Sequence, residues 1–185
     1  MQRDLIDRAA RGDAEAFTEL VVARAGRLDG AARLILRDPE RAKDAVQEAL
    51  VRAWRDLPSL RDPERFDAWL HRLLVRACMD EGRRFGRRRF EVELSPIHAT
   101  GVPDASRSVS DRDQLDRAFR HLPPDQRTTV VLVHYLDLSL AETAAALGVP
   151  IGTARSRLYR GLTALRAALD ASERSLPELA KGRLA

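Results

Sequence analysis

A single segment, residues 94–110, interrupts the helical periodicity of this 185-residue chain. Its sequence, LSPIHATGVPDASRSVS, is rich in proline, glycine and serine and carries only two charged residues. Such a composition is typical of a linker. The segment therefore predicts two units, residues 1–93 and 111–169, each near the lower size limit for a helical domain, followed by a tail over residues 170–185.

The first unit contains three helix starts, each marked by an aspartate that can cap the free amides of a first turn. Asp13 precedes an apolar pattern that runs from Phe17 to Ile35. The motifs Asp38-Pro39-Glu40 and Asp62-Pro63-Glu64 add proline at the first helical position and an acid that complements the helix dipole. The two helices after these motifs each have one apolar stripe at helical spacing. The stripes are Ala42, Val46, Ala49, Leu50, Ala53, Trp54 and Leu57, and then Phe66, Trp69, Leu70, Leu73, Leu74 and Ala77.

The second unit is predicted to contain a helix near Asp111, another over residues 126–136, and then two short helices joined by a tight turn. Ser139 and Glu142 form a capping box that starts the first short helix, and Gly148-Val149-Pro150 makes the turn. The inward face of the second short helix is expected to carry Ala154, Leu158, Leu162 and Leu165. This arrangement is a helix-turn-helix. No segment of either unit alternates with period two for long enough to make a strand, so we predict an all-α protein of two small helical domains joined by a flexible linker.

Charge is concentrated in two places. The chain has 32 Lys and Arg against 28 Asp and Glu, so its net charge is only +4. Yet residues 83–89 read RRFGRRR, and residues 150–169 hold four arginines and no acid. Arginine binds phosphates and guanine edges through a planar fork of donors, although a general preference for arginine codons explains the scarcity of lysine equally well. The two clusters predict that nucleic acid is contacted at two places.

Several function classes are excluded by what the sequence lacks. The four histidines are isolated, Cys78 is the single cysteine, and there is no glycine-rich phosphate loop or nucleophile elbow. We therefore predict no catalytic residues, no metal and no cofactor, and no enzymatic activity. Cys78 is expected to be a small core residue. No apolar run is long enough to span a membrane, and no signal peptide precedes the first helix, so a cytoplasmic protein is expected.

With these features in place, the sequence resembles the extracytoplasmic-function (ECF) sigma factors over roughly residues 1–169. Four motifs carry the resemblance in the right order, on both sides of the linker. In the first unit they are GDAEAF at 12–17, DAVQEA at 44–49 with Ala53-Trp54, and FDAWL at 66–70 with Asp80 and Arg83-Arg84. In the second unit the fourth motif consists of three stretches, LPPDQR at 122–127, LSLAETA at 138–144 and LGVPIGTARSRL at 147–158.

The resemblance implies partners and sites. RNA polymerase core would bind through the clamp helices of its largest subunit, and promoter DNA would be the second partner; an anti-sigma factor is a third that the resemblance allows. The polymerase-binding residues would be Asp44, Gln47, Glu48, Arg52 and Arg55. The promoter's minus-ten element would contact Phe66, Trp69, Arg72, Arg76, Arg83, Arg84, Arg87, Arg88 and Arg89.

The minus-thirty-five element would lie against the second helix of the helix-turn-helix. Side chains at its start meet base edges, with Arg155 suited to a guanine, while Arg157 and Arg160 are placed for phosphates. The exposed residues of this helix are expected to be Thr153, Arg155, Ser156, Arg157 and Arg160. An ordinary helix-turn-helix regulator, which would bind a palindrome as a dimer without polymerase, is the alternative. An RNA-binding or scaffolding protein is a third reading, but it leaves the PIGTARSR stretch unexplained.

The length of the linker sets a further expectation. Promoter elements about 25 base pairs apart lie about 85 Å apart along the duplex. A relaxed 17-residue coil spans only about 20–25 Å, and its extended limit is about 55–60 Å. We therefore expect the linker to be stretched when both elements are bound. In the free protein we expect the domains to pack together, with Arg155 and the 83–89 cluster partly covered.

Overall fold

The computed structural model of the chain describes residues 2–92 and 109–181, and within these ranges there is no β-strand. The first half comprises α1 (Gln2–Ala10), α2 (Ala14–Val22), α3 (Ala25–Leu36), α4 (Pro39–Asp56) and α5 (Phe66–Val92). The second half comprises α6 (Val109–Arg120), α7 (Pro124–His134), α8 (Leu140–Leu147) and α9 (Ile151–Lys181). The all-α prediction with two helical halves is confirmed. Of the predicted linker, residues 94–108 lie outside the described residues and 109–110 begin α6.

The predicted helix starts are present. Asp38 accepts hydrogen bonds from the amides of Glu40 and Arg41, both at 3.1 Å, and Ser139 with Glu142 forms the full capping box. Asp62 caps a single 3₁₀ turn, Pro63–Arg65, that leads into α5. In the described ranges no helix combines the length and the apolarity that crossing a membrane requires.

The apolar pattern after Asp13 is divided between two helices, because the chain turns at Ala23 and Arg24. Arg24 compensates for the break: its Nη1 donates to the Leu20 carbonyl at 2.8 Å, and its Nε binds the carboxylate of Asp67. The guanidinium thus satisfies a carbonyl that the end of α2 leaves without a helical partner.

Helix α4 buries the small residues of the expected stripe and adds Ala45 to them, whereas the larger residues Val46, Leu50 and Trp54 are only partly buried or exposed. Its fully buried residues are four alanines at helical spacing, Ala42, Ala45, Ala49 and Ala53. Small side chains allow α3 and α5 to approach the α4 backbone closely, so the larger residues of this helix are displaced toward the surface. Trp54, expected in the core, is 39% exposed and packs edge-on against Phe17 at 5.0 Å between ring centroids.

Helix α5 is buried on two faces. The expected stripe is in the core except for Trp69, which is only partly buried. A second set, His71, Val75 and Cys78, is buried as well and follows helical spacing on another face. Helix α8 of the C-terminal half packs against α5, and Cys78 lines a cavity together with Pro124 and Arg127 of α7.

The C-terminal half packs α9 across α7 through a glycine. A side chain at Gly161 would place its Cβ 2.8 Å from Val130 Cγ2, so the absence of a side chain lets the two helices touch. Leu162, expected to face inward, is exposed instead. The expected end of the last helix near residue 169 is also corrected, because α9 continues to Lys181. The helix can continue beyond residue 169 because no proline or glycine lies between Gly161 and Pro177.

The two halves share one apolar core, to which residues of α7 and the loop before α8 contribute as well as those of α2 to α5. Arg127 of α7 is buried and donates to the carbonyl of Ile35 in α3, while Arg27 of α3 donates to the Tyr135 carbonyl at the end of α7. The expected packing of the domains against each other is therefore present. The expected covering of Arg155 and of the described part of the 83–89 cluster is wrong, because Arg83, Arg84 and Arg155 are exposed.

Candidate nucleic-acid interface

The first part of α9 presents a basic, solvent-facing surface. Arg155 and Arg160 are exposed, and Thr153 is partly exposed. Ser156 donates from Oγ to the Gly152 carbonyl at 2.9 Å, and Arg160 Nε donates to the Ser156 carbonyl at 3.3 Å. These bonds lie along the helix surface and leave the Arg155 side chain projecting from the first turns of α9, the part of a recognition helix that meets base edges.

Arg157 occupies a different environment from its neighbours. It is partly buried, and its Nε lies 3.1 Å from the Asp125 carboxylate at the start of α7. The sequence places this arginine among the exposed residues of the helix, whereas the fold ties it to the helix beneath. The pairing could not be read from the sequence, since 32 positions separate the two residues.

Two large apolar residues extend the exposed face of α9 and were not predicted. Ile151 is 49% exposed and Tyr159 is 73% exposed. With Arg155 they follow a four-residue spacing, which places all three on one side of the helix. That spacing was present in the sequence and would have identified them. Apolar groups on such a face can contact the methyl group of thymine.

The basic cluster of α5 is partly held by local ion pairs. Arg83 pairs with Asp80 at 2.5 Å and Arg84 approaches Glu81 at 3.9 Å. Arg76 is exposed and Arg72 is partly buried. Arg87, Arg88 and Arg89 belong to the same helix, but their side chains lie outside the described residues.

The two aromatic residues predicted for DNA contact have different surroundings. Phe66 is fully buried, with the Arg24 guanidinium 5.0 Å from its ring centroid, and offers no surface to a ligand in this structure. Trp69 is partly exposed and lies 5.9 Å from Phe66 between ring centroids. Trp69 is thus the aromatic side chain of this pair that a nucleotide could reach.

A polar depression of about 310 Å³ lies between α4 and α5. Asp44, Gln47 and Glu48, three of the predicted polymerase contacts, line it together with Asp80, Glu81 and Arg84. Three of its carboxylates, those of Glu48, Asp80 and Glu81, already pair with arginines of this chain.

The two other predicted contacts on α4 are engaged within the molecule. Arg52 donates to Glu48 at 2.8 Å and to Asp80 at 3.0 Å, which joins α4 to α5. Against the desolvation that burial imposes, hydrogen bonds from Arg83 and Arg52 lower the pKa of Asp80. Arg55 is exposed and pairs with Asp56 at 2.8 Å.

An apolar groove of about 530 Å³ adjoins the polar depression and was not predicted. Gln47 and Val51 of α4 border both surfaces. The groove exists because the alanine stripe of α4 takes the core positions. Its apolar lining is formed by Phe17, Val46, Leu50, Val51 and Trp54.

Within the described ranges no three His, Cys, Asp or Glu side chains are grouped closely enough to hold a metal ion. Cys78 is buried, and this burial raises the pKa of its thiol to about 12. A thiol with such a pKa is a poor nucleophile at neutral pH, in agreement with the core role expected for it.

Two family models match the chain, one in each half. The model described as Sigma-70 region 2 matches residues 20–89, and the model described as Sigma-70, region 4 matches residues 112–165. The first match contains the α4 surface and the whole 83–89 cluster of α5. The second contains the helix-turn-helix.

Characterised relatives cover nearly the whole chain. An RNA polymerase sigma-E factor of Streptomyces avermitilis is 35% identical over 89% of this chain and 90% of its own length. The ECF RNA polymerase sigma factor SigM of Mycobacterium tuberculosis is 35% identical over 85% of this chain and 79% of its own. Among solved structures, the sigma factor RpoE of Bartonella quintana, crystallised with the anti-sigma factor NepR, has a TM-score of 0.73 and 25% identity over 85% of this chain and 98% of that one.

Proposed function

Because the chain belongs to the sigma-70 family of RNA polymerase sigma factors, in the extracytoplasmic-function group, we propose that each half contacts a different part of the initiation complex. The protein is a sigma factor: it binds RNA polymerase core and directs initiation at specific promoters. The N-terminal domain would bind polymerase and the minus-ten element, and the C-terminal domain the minus-thirty-five element. The observation that carries this division is the placement of one basic surface on α5 and another on α9.

We assign polymerase binding to the surface of α4. Asp44, Gln47 and Glu48 present acidic and amide groups to a basic helix of the clamp, and the neighbouring groove with Trp54 receives its apolar side chains. Arg52 acts here as a support that holds Glu48 and Asp80 in place. A polar surface beside an apolar one is the usual composition of a protein interface.

We assign the minus-ten element to α5. Arg72, Arg76, Arg83 and Arg84 would neutralise phosphates, and Trp69 would stack on an unpaired base. Phe66 would support Trp69 from below. Arg87, Arg88 and Arg89 continue the same helix, and we propose that they extend the phosphate contacts.

We assign the minus-thirty-five element to the start of α9. Arg155 would read a guanine, and Thr153, Ser156 and Arg160 would contact the backbone or neighbouring bases. Ile151 and Tyr159 add apolar contacts on the same face. Arg157 would position α9 on α7 through Asp125, with a smaller part in DNA binding.

We further propose that the chain acts in the cytoplasm, where polymerase and promoter DNA are found, and that it catalyses no reaction itself. We assign the formation of the bonds of the RNA chain to the polymerase. We also propose an anti-sigma factor as a partner, since the structural relative of Bartonella quintana was crystallised with one.

Run-off transcription tests the proposal. Polymerase core is supplied with linear genomic fragments of the source organism, with and without the purified protein, and the transcripts are sequenced from their 5′ ends. The expected result is a defined set of start sites that appears only with the protein. If no new start site appears, and the protein alone binds a palindrome tightly as a dimer, the helix-turn-helix regulator becomes the correct assignment.

A paired substitution tests the polymerase surface by copurification. Asp44→Ala with Gln47→Ala should reduce copurification with polymerase core while helicity, measured by circular dichroism, stays unchanged. Glu40→Ala, an exposed change on the first turn of the same helix, is the matched control and should retain binding. Equal binding by the paired variant and the control would contradict the assignment.

A further inference from the structure

A further cavity lies where helices of the two halves meet. Its volume is about 540 Å³. Sites for small molecules commonly have volumes of about 300–1,000 Å³. Of the described residues assigned to polymerase or DNA, Arg83 and Arg157 border this cavity. The rest of its lining has no part in the proposed function, so the cavity can be considered on its own chemistry.

Most of the cavity wall is apolar. Helices α3, α5 and α8 contribute the apolar side chains, which are Ile35, Leu36, Cys78, Met79, Phe85 and Leu147. Ile35 and Cys78 are buried, whereas Phe85 is 45% exposed. The wall therefore extends from the core to the surface, and an apolar group placed along it would be removed from water.

The polar part of the wall contains four arginines and one aspartate. Three of the arginines pair with carboxylates of this chain: Arg41 with Glu81, Arg83 with Asp80, and Arg157 with Asp125. Arg127 is the fourth, and in the described part of the chain no carboxylate pairs with it. It donates to the carbonyls of Ile35 and Leu122, which are neutral acceptors. Since a buried charge is costly without a countercharge, one negative charge in the cavity would balance Arg127.

Arg41 has donors for such an anion. Its guanidinium lies over the ring of Phe85, 4.2 Å from the centroid, and Nη2 donates to the Glu81 carbonyl at 3.3 Å. Its Nε is buried and has no hydrogen-bond partner among the described residues. The aromatic ring fixes the plane of the guanidinium, and a carboxylate is the anion whose geometry matches that plane.

We propose that this cavity binds a small organic monocarboxylate with an apolar body, of the class of medium-chain fatty acids. Arg41 donates to the carboxylate, and Arg127 supplies the positive charge that the carboxylate balances. The apolar body lies along the wall that Ile35, Met79 and Leu147 form. A free inorganic anion would leave this apolar wall uncovered. Neither DNA nor polymerase takes part, so the proposal stands apart from the proposed function.

Isothermal titration calorimetry of the full chain with octanoate tests the proposal. 1-Octanol has the same apolar chain without the charge, and acetate has the carboxylate without the chain. Octanoate should bind saturably at one site. 1-Octanol should bind about tenfold more weakly or worse, as the loss of a hydrogen bond to a charged group implies, and acetate should show no saturation over the same concentrations.

A substitution that fills the cavity tests the location. Gly82 lines the cavity, and a Cβ at this position meets no atom within 4 Å, so a larger side chain has room to extend into the cavity. Gly82→Leu should weaken octanoate binding by about tenfold or more. Gly26→Leu is the matched control, because Gly26 is also a helical glycine with open space around it. It should bind octanoate as the wild type does. Circular dichroism checks that both variants keep their helices, which leucine favours over glycine.

A second substitution tests recognition of the carboxylate. Arg41→Gln should weaken octanoate binding by about tenfold and leave the binding of 1-octanol unchanged. Arg33→Gln is the control, since Arg33 is exposed on α3 and pairs locally with Asp29. It should change the binding of neither compound.

Three results would overturn the proposal. The first is the absence of saturable octanoate binding to the wild-type protein, and the second is equal binding of octanoate by Gly82→Leu and Gly26→Leu. The third is equal affinity of the wild type for octanoate and 1-octanol, because the cavity would then not recognise a carboxylate. The Gly82→Leu comparison retains all four arginines, so it decides the location even if Arg41→Gln does not fold.

Discussion

Arg127 and Ile35 join the two domains through one carbonyl that receives two hydrogen bonds. The guanidinium donates to the Ile35 carbonyl oxygen from Nε at 3.1 Å and from Nη2 at 2.8 Å, and its Nη1 donates to Leu122 at 3.2 Å. Burial, with the nearby charge of Arg37, lowers the pKa of Arg127 to about 10, which still leaves it charged at neutral pH. Ile35 lies in the last turn of α3, so its carbonyl has no partner within that helix.

Because of this geometry, lysine cannot replace Arg127 without a loss of stability. Arg127→Lys keeps the charge but loses the fork that reaches two carbonyls at once, so we expect a loss of about 1–3 kcal/mol in the free energy of unfolding. Urea denaturation followed by circular dichroism measures it. Arg120→Lys, at an exposed position of α6, is the control and should change stability by less than about 0.5 kcal/mol. Equal effects of the two changes would mean that the Ile35 bonds contribute little.

Two glycines of α3 provide a second test of the domain interface. A Cβ at Gly30 would overlap the hydroxyl of Tyr135, whereas a Cβ at Gly26 would meet open space. Gly26→Ala should therefore raise stability by about 0.5–1 kcal/mol, because alanine favours the helix. Gly30→Ala should raise stability by less than this or lower it. When Gly30→Ala is combined with Tyr135→Leu, the full gain in stability should return. Thermal unfolding is compared for Gly26→Ala, Gly30→Ala, Tyr135→Leu and the Gly30→Ala/Tyr135→Leu double variant. An identical gain at both glycines would show that Tyr135 does not restrain α3.

Protonation of His71 should weaken the fold below neutral pH. Burial, aided by the charges of Arg27 and Arg24 and opposed by Asp67 and Asp137, lowers the pKa of His71 from 6.5. The unfolded chain therefore binds this proton more readily, so stability is complete above pH 6.5 and declines as the pH falls toward the folded pKa.

The measurement is the free energy of unfolding between pH 8 and pH 5. In wild-type protein it should fall over the lower part of this range, and in His71→Leu the decline should be smaller. His134→Gln, a change at an exposed histidine, should keep the wild-type profile. If the free energy of unfolding declines equally with pH in all three proteins, groups other than His71 cause the pH dependence.

Arg155 and Arg157 should differ in what their loss affects. Arg155 is exposed on the DNA face, so Arg155→Ala should cost about 1–3 kcal/mol in binding the cognate minus-thirty-five duplex and relax the preference at one base pair. Arg157 is paired with Asp125, so Arg157→Ala should lower stability more than specificity. Binding to cognate and scrambled duplexes, with unfolding measured alongside, separates the two. Equal losses on both duplexes for Arg155→Ala would make it a phosphate contact.

The sequence by itself determined where the helices begin and where the basic residues are concentrated. Aspartate caps, the Ser139–Glu142 capping box and the left-handed glycine at 148 act within a few residues, so local spacing suffices to predict them. The same holds for the basic character of the start of α9, since residues 150–169 hold four arginines and no acid.

The tertiary structure alone decided which of several apolar faces is buried and which charges are paired. Periodicity marks a stripe on a helix but does not identify its partner, so the sequence could not show that Ala45 takes the core position while Trp54 borders a groove. Nor could it show that Gly161 replaces Leu162 at the contact with α7, or that Arg157 meets Asp125. These outcomes depend on distances between elements far apart in the chain, and packing fixes those distances only when all the helices are assembled.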